Sequence, residues 1–175
     1  NKQMGIKYLT RLLKENAPSS IMHEQLYHLS GKIVAIDTSL FMYQYLMNIR
    51  RNGELMKNSN GKVISHIYGM FFKIANYLSL NITPIFIFDG KPPDEKSNVI
   101  KERKEKAEKA TIKKKESITK EEIEKQDKMS IRLTKEYIDD VKLLLSQMGV
   151  SYLHIEGEAE AIASELCRIG YVDYV

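Results

Sequence analysis

The chain has one cysteine, Cys167, and no tryptophan. A single thiol excludes an intramolecular disulfide and points to a reducing compartment. Cys167 ends the helical pattern Ala161-Ile162-Ala163-Ser164-Glu165-Leu166-Cys167, where a packing thiol is expected rather than a nucleophile. With only this cysteine and scattered histidines, a zinc centre is not expected either. No apolar run approaches a membrane-spanning length. No apolar segment follows the charges at Asn1-Lys2-Gln3, so a signal peptide is not expected. Met4-Gly5 opens like a myristoylation motif, but Leu9 stands where that motif needs Ser or Thr. The 175 residues suit one domain with a proper core.

What is plentiful is charge, and it is unevenly placed. The net charge is +4. Between Lys91 and Lys120 there are eleven Lys/Arg against six Asp/Glu, which leaves the remainder close to neutral. Basic character gathered into one segment is the electrostatic footprint expected for phosphates. A solvated helical hairpin or coiled-coil arm would have the same composition.

Two short apolar runs each end in an aspartate: Ile33-Val34-Ala35-Ile36-Asp37 and Pro84-Ile85-Phe86-Ile87-Phe88-Asp89. Such runs read as central strands of a parallel sheet. Helical spacing predicts helices over 6–16, 39–51 (Ser39 as cap), 63–80, about 138–148 before Gly149, and 158–169. Tyr152-Leu153-His154-Ile155 predicts a third strand, and 171–175 resembles a strand cut off part-way. Asn52-Gly53 and Asn58-Ser59-Asn60-Gly61 mark turns around a loop expected to expose Leu55 and Met56. This alternation predicts an α/β fold, a three-layer sandwich around a mostly parallel central sheet. From about 93 to 136 the apolar pattern thins into a charged helical arm inserted beside Asp89.

Open α/β sheets bind ligands at the carboxyl ends of their strands. Asp37 and Asp89 on that rim begin a site for a hard cation such as Mg²⁺, which prefers oxygen ligands. Glu156-Gly157-Glu158-Ala159-Glu160-Ala161 follows the third strand and is placed to add to it. Either aspartate could equally cap the helix that follows. Glu158 and Glu160 could simply favour a helix N-terminus. Residues two apart do not share a helical face, so both glutamates reach one site only at a turn into the helix, which Gly157 would allow.

In this order, Met4-Gly5-Ile6, Val34-Ala35-Ile36-Asp37-Thr38-Ser39, Tyr43-Gln44-Tyr45-Leu46, Ser65-His66-Ile67-Tyr68-Gly69-Met70-Phe71, Phe88-Asp89-Gly90-Lys91-Pro92-Pro93, Leu144-Leu145-Ser146-Gln147-Met148-Gly149-Val150 and Glu158-Ala159-Glu160-Ala161 span nearly the whole chain. The ordered set resembles the N-terminal region of the XPG family of structure-specific 5′ nucleases, and within it the flap endonucleases. The resemblance implies a PIN-like fold with a basic helical arch. It also implies hydrolysis of DNA phosphodiesters at junctions of single strand and duplex, such as 5′ flaps, in replication and repair. Two Mg²⁺ ions, with Mn²⁺ as a substitute, would serve this chemistry, since paired metals stabilise both the attacking and the leaving oxygen.

By match, Asp37, Asp89, Glu158 and Glu160 would be the acidic metal-site residues. Lys96 and Arg103 would stand at the base of the arch and polarise the scissile phosphate. Arg50 and Lys73, expected on helices flanking the first cleft strand, would hold DNA, and Tyr43 would stack a base. The 52–62 loop would wedge against a duplex end. Glu156-Gly157 departs from the small or proline residues usual before the paired glutamates. The family's later acidic motif, duplex-gripping element and clamp-binding tail are not found, so residues 4–175 read as the N-terminal part of a catalytic domain, poorly active alone. A sliding clamp would then bind a carboxy-terminal region outside this chain. The nucleus or a viral or organellar replication compartment is the expected location. Other readings are a 5′ exonuclease, a junction-cleaving member of the family, or a non-catalytic nucleic-acid-binding protein that keeps the fold.

Overall fold

Alternation along two buried strands decides how the layers stack. The computed structural model describes residues 8–21, 23–90, 105, 108, 109, 112 and 130–175. In chain order the described elements are α1 (Leu9–Asn16), two short 3-10 turns, β1 (Ile33–Asp37), α2 (Thr38–Asn48), β2 (Arg50–Arg51), β3 (Glu54–Leu55), α3 (Ser65–Ser79), β4 (Thr83–Phe88), α4 (Lys135–Gln147), β5 (Tyr152–His154) and α5 (Ala159–Arg168). β4 is the centre of a three-stranded sheet, paired in parallel with β1 on one side and β5 on the other. Ile36 lies opposite Phe86, and Phe86 opposite Tyr152.

Successive strand residues point to opposite faces. Val34, Ile36, Phe86 and Phe88 therefore face one way and pack against Met42 of α2, Met70, Ile74 and Tyr77 of α3, and Val141 and Leu145 of α4. Ala35, Ile85 and Ile87 face the other way, against Ala159 and Ala163 of α5 and Val172. The sheet is thus covered on both faces, giving the three-layer α/β sandwich expected. Full burial of each large apolar side chain contributes roughly 1.5–3 kcal/mol. Phe86 and Phe88 are its largest fully buried members.

Several boundaries differ from the sequence expectation. α2 stops at Asn48 rather than near residue 51, because the chain turns into a hairpin of β2 and β3. Asn52 and Gly53 both have positive φ, 54° and 83°. This is the geometry of a type I′ hairpin turn, which Asn-Gly favours. Leu55 and Met56 are half-buried, not exposed. The Met56 N–H is held by the Ser65 hydroxyl at 2.9 Å, which in turn donates to the Ile49 carbonyl at 2.8 Å. The cap of α2 is Asp37 rather than Ser39. α3 buries Met70, Ile74 and Tyr77 but leaves Phe71 and Leu78 exposed, so its apolar stripe is wider than the core it meets. Residues 172–175 run beside β1, but only a Val34–Tyr174 bridge forms in place of the expected strand. There the Asp173 carboxylate accepts from the Ile33 N–H at 2.8 Å and pairs with Lys32 at 3.1 Å. Those two contacts hold its pKa below the ordinary carboxylate value.

Most of the expected arch, 93–136, lies outside the described residues; its last two positions already belong to α4. Thr134 caps that helix, accepting from the Tyr137 N–H at 3.3 Å. Gly149, with φ 69°, stands just beyond its end, as a C′ glycine does.

Candidate metal and nucleic-acid site

β1 and β4 are adjacent and parallel, so both deliver their carboxyl ends to the same rim. Asp37 closes β1, and Asp89 follows the last residue of β4. Asp37 is half-buried and one of its oxygens accepts from the Leu40 N–H at 3.2 Å. Burial raises its pKa above the ordinary carboxylate value; the negative charges of Asp89 and Glu160 push it the same way, against the hydrogen bonds from Leu40 and Ser39. Asp89 and a glutamate from α5 thus each lie within electrostatic reach of Asp37.

The third contributor arrives through a tight junction. Asp89 accepts from the Ala159 N–H at 2.8 Å, at the first residue of α5. Next to it, the Gly90 N–H donates to the Gly157 carbonyl at 3.0 Å. A Cβ at Gly90 would run into the Ile155 carbonyl oxygen and come within 2.9 Å of the Glu156 Cα. Only glycine permits that approach. Gly157 has φ 112°, so the turn into α5 uses the backbone freedom expected of it. Glu158 occupies the N-cap position of α5 and Glu160 its first turn. Of the two, Glu160 is close enough to act on the charge of Asp37.

The capping reading is realised at both aspartates, for Asp89 at a distant helix rather than the one that follows it. Asp37 caps its own helix, and Asp89 satisfies the N-terminus of a helix seventy residues away. Capping uses one oxygen of Asp89, and a carboxylate has two. Among the described residues, no three carboxylate or imidazole side chains converge closely enough to form a metal-holding group. The donors at the rim are all carboxylates, and Asp37 carries an electrostatic penalty that a cation would relieve. Asp37, Asp89 and Glu160 thus offer oxygen donors of the kind a hard cation takes, with Glu158 next to them in sequence at the N-cap of α5.

The expected nucleic-acid residues divide. Tyr43 is half-buried on α2. Lys73 is on α3 as expected, with its ammonium 4.6 Å from the Phe41 ring centre and 4.8 Å from that of Tyr77. Arg50 is not on a helix. It lies in β2, and its guanidinium donates to the carbonyls of Met47 at 3.1 Å, Gly53 at 3.1 Å and Leu46 at 3.4 Å. There it ties the end of α2 to the hairpin turn. Lys96 and Arg103 lie outside the described residues.

Sequence reasoning missed two residues, Gly90 at the rim and His66 between α3 and α4. The role of Gly90 had a signal, since a glycine directly after a strand-end aspartate suggests close backbone approach. The buried His66 had none, because a histidine on an apolar helix face looks the same whether or not it meets a partner.

A three-layer α/β protein with carboxylates gathered at the carboxyl edge of its sheet is the class that this geometry defines. The XPG N-terminal domain matches residues 4–110, and the chain belongs to that family. It is 41% identical over 173 residues to flap endonuclease 1 of Glycine max, covering 97% of this chain and 45% of the relative. The chain therefore spans under half the length of that relative. Among solved structures it is similar to flap endonuclease-1 from Methanococcus jannaschii (TM-score 0.60, 40% identity, covering 85% of this chain and 49% of the other). It is also similar to the catalytic core of Rad2 in complex with DNA substrate (TM-score 0.67, 28% identity, 97% and 43% covered).

Proposed function

We propose that this chain is the N-terminal part of a structure-specific 5′ nuclease that cuts DNA at junctions of single strand and duplex. The observation that carries the reading is the delivery of Asp37 and Asp89 to one rim by the adjacent parallel strands β1 and β4, where burial first, and then the charges of Asp89 and Glu160, raise the Asp37 pKa. Crowded carboxylates cost stability unless a cation is shared among them. Family membership and the flap-endonuclease and Rad2 relatives support the same reading.

Asp37, Asp89, Glu158 and Glu160 would hold two Mg²⁺ ions, or Mn²⁺ in their place. Bound there, the ions would supply a nucleophilic water and charge neutralisation at the phosphate. The protein's own part is placement. Asp37 and Asp89 are each fixed by a backbone N–H, so their carboxylates are oriented before substrate arrives. The arch at about 93–136 would pass or clamp a single-stranded 5′ end, with Lys96 and Arg103 drawing the scissile phosphate toward the acids. Tyr43 and Lys73 would meet the DNA beside them. Arg50 would act indirectly, by holding the hairpin in shape. A sliding clamp would engage a part of the protein outside this chain, in the nucleus or in a viral or organellar replication compartment.

The test uses the intact protein and a labelled 5′-flap duplex. Incision near the junction is expected with Mg²⁺ or Mn²⁺ and none in EDTA. Lys96→Ala and Arg103→Ala should each lower the single-turnover rate more than they weaken DNA binding. Equal cutting of flap, blunt duplex and single strand would overturn the junction specificity. Cutting that persists in EDTA would overturn the metal assignment.

A further inference from the structure

A groove between α2 and α3 plays no part in holding the acids. It encloses about 420 Å³, within the usual range of ligand pockets. On the α2 side it is lined by Tyr45 and Ile49. The Tyr45 ring lies directly against α3, because a Cβ at Gly69 would run into it. Glycine is otherwise unfavourable inside a helix. On the α3 side stand Tyr68 and Phe72, one turn apart, with ring centres 4.8 Å from each other. These two rings are 46% and 54% exposed. Lys73 and Asn76 complete the lining, which contains no acidic residue.

The groove is continuous with the acidic rim. α2 starts at the residue after Asp37. Phe41 is four residues beyond that aspartate and Tyr45 eight, so they lie about 6 Å and 12 Å along the helix axis. Their rings are stacked, with centres 6.2 Å apart. The Lys73 ammonium sits 4.6 Å from the Phe41 ring centre, over the part of α2 that separates Asp37 from the groove. Its contacts there are to rings rather than to a carboxylate. Aromatic faces stack on nucleobases of any sequence, and a cation beside them complements the phosphates that link the bases. An apolar protein segment would use neither the cation nor the faces of the rings. We propose that this groove is a subsite for an unpaired base of the DNA strand that crosses the rim, stacked on Tyr68 and Phe72, with Lys73 on the adjoining phosphate. Tyr68 and Phe72 are then positioning residues: they hold the strand at a fixed distance from the acids and touch no reacting atom.

The proposal rests on the reading of the rim as a nuclease site, and its test keeps the two apart. The probe is an oligothymidylate carrying a single 2-aminopurine, used alone and as the unpaired strand of a 5′-flap duplex. Stacking on a ring quenches 2-aminopurine fluorescence. With the intact protein in EDTA, quenching is expected when the analogue occupies one or two positions and not elsewhere along the strand. Phe72→Ala should remove the quenching and weaken binding about tenfold, as loss of one base–aromatic stack does. Phe72→Tyr should restore both, and Phe72→Leu should restore neither, since leucine offers apolar area without a ring face. Deleting the base at the quenched position should weaken binding by the parent about tenfold and by Phe72→Ala no further, as a shared contact requires. Lys73→Gln should reduce the salt slope by about one phosphate contact.

Binding by the parent with no position quenched would overturn the proposal, since another part of the protein or another partner then fills the groove. Parent-like behaviour of Phe72→Leu would overturn stacking. If the parent does not cut the flap, the nuclease reading fails while the fluorescence still decides the groove. Should Phe72→Ala not fold, Tyr68→Ala carries the same test at the neighbouring ring.

Discussion

Asp89 has two separable duties, and two substitutions tell them apart. Its side-chain oxygen satisfies the first N–H of α5, and its charge contributes to the acidic rim. Asparagine retains an acceptor oxygen and is as good a cap as aspartate, whereas alanine offers nothing. Loss of a capping side chain costs about 0.5–2 kcal/mol, typically about 1. In a protein of this size or larger, about 1 kcal/mol shifts the melting temperature by roughly 2–4 °C. Asp89→Ala should therefore melt a few degrees lower than the parent in EDTA. Asp89→Asn should melt at the parent temperature or slightly above it, because the cap survives and like-charge repulsion on Asp37 is removed. Both should lose cleavage of a 5′-flap duplex in Mg²⁺, since neither supplies the charge. The assays are calorimetry without metal and single-turnover cleavage with it. If Asp89→Asn cuts at the parent rate, the carboxylate is only a cap and the metal assignment is wrong. If Asp89→Ala melts with the parent, the contact to Ala159 contributes nothing and the capping argument fails.

Three other outcomes are expected. Because the folded-state pKa of Asp37 is raised, the folded protein binds more protons than the unfolded one between 3.8 and that value, so stability falls as pH rises through this window. Asp37→Asn, which keeps the cap, should accordingly raise thermal stability in EDTA at neutral pH and lose that advantage in acid; no gain at neutral pH would contradict the burial and crowding of the Asp37 charge. His66 has a lowered folded-state pKa, so the stability it protects is present above its ordinary value of 6.5 and is lost as pH falls below it. Melting curves of His66→Gln should be flatter than the parent's across that range, and an identical pH dependence would count against the burial argument. Gly90→Ala forces apart the loops at 90 and 155–157, so it should abolish metal-dependent cleavage and cost roughly 1–3 kcal/mol as overpacking does; a parent-like melting temperature would mean the loops yield freely.

The layers were legible because strand alternation is a local signal. Val34 and Ile36 against Ala35, or Phe86 and Phe88 against Ile85 and Ile87, announce a sheet covered on both faces. The strand-end aspartates were legible for the same reason, as was the need for glycine at 157. The hairpin of β2 and β3 is only two residues per strand, too short for periodicity to register, although Asn52-Gly53 carried its turn. Arg50 was misplaced on a helix because the end of α2 is decided by carbonyls that its guanidinium collects from both sides of the turn. The capping of α5 by Asp89 could not be read at all. It joins residues that are distant in the chain, and such a contact exists only once β4 and β5 lie side by side.

That junction also bears on how such a protein can change over time. The backbone bond from Gly90 to Gly157 and the seating of Asp89 on α5 tie together the two stretches of chain that carry the acids. Neither contact uses any residue between 91 and 134. Whatever is inserted there leaves from one side of a closed joint and re-enters at a helix with its own cap, Thr134. A change of length before Leu133, which packs on the core, therefore need not open that joint. Substrate preference can diversify in that segment while the joint beneath it stays closed. For engineering, a segment from another protein can be spliced in ahead of Leu133, provided it restores basic residues in the place of Lys96 and Arg103, and the contacts of Asp37 and Asp89 should survive the exchange.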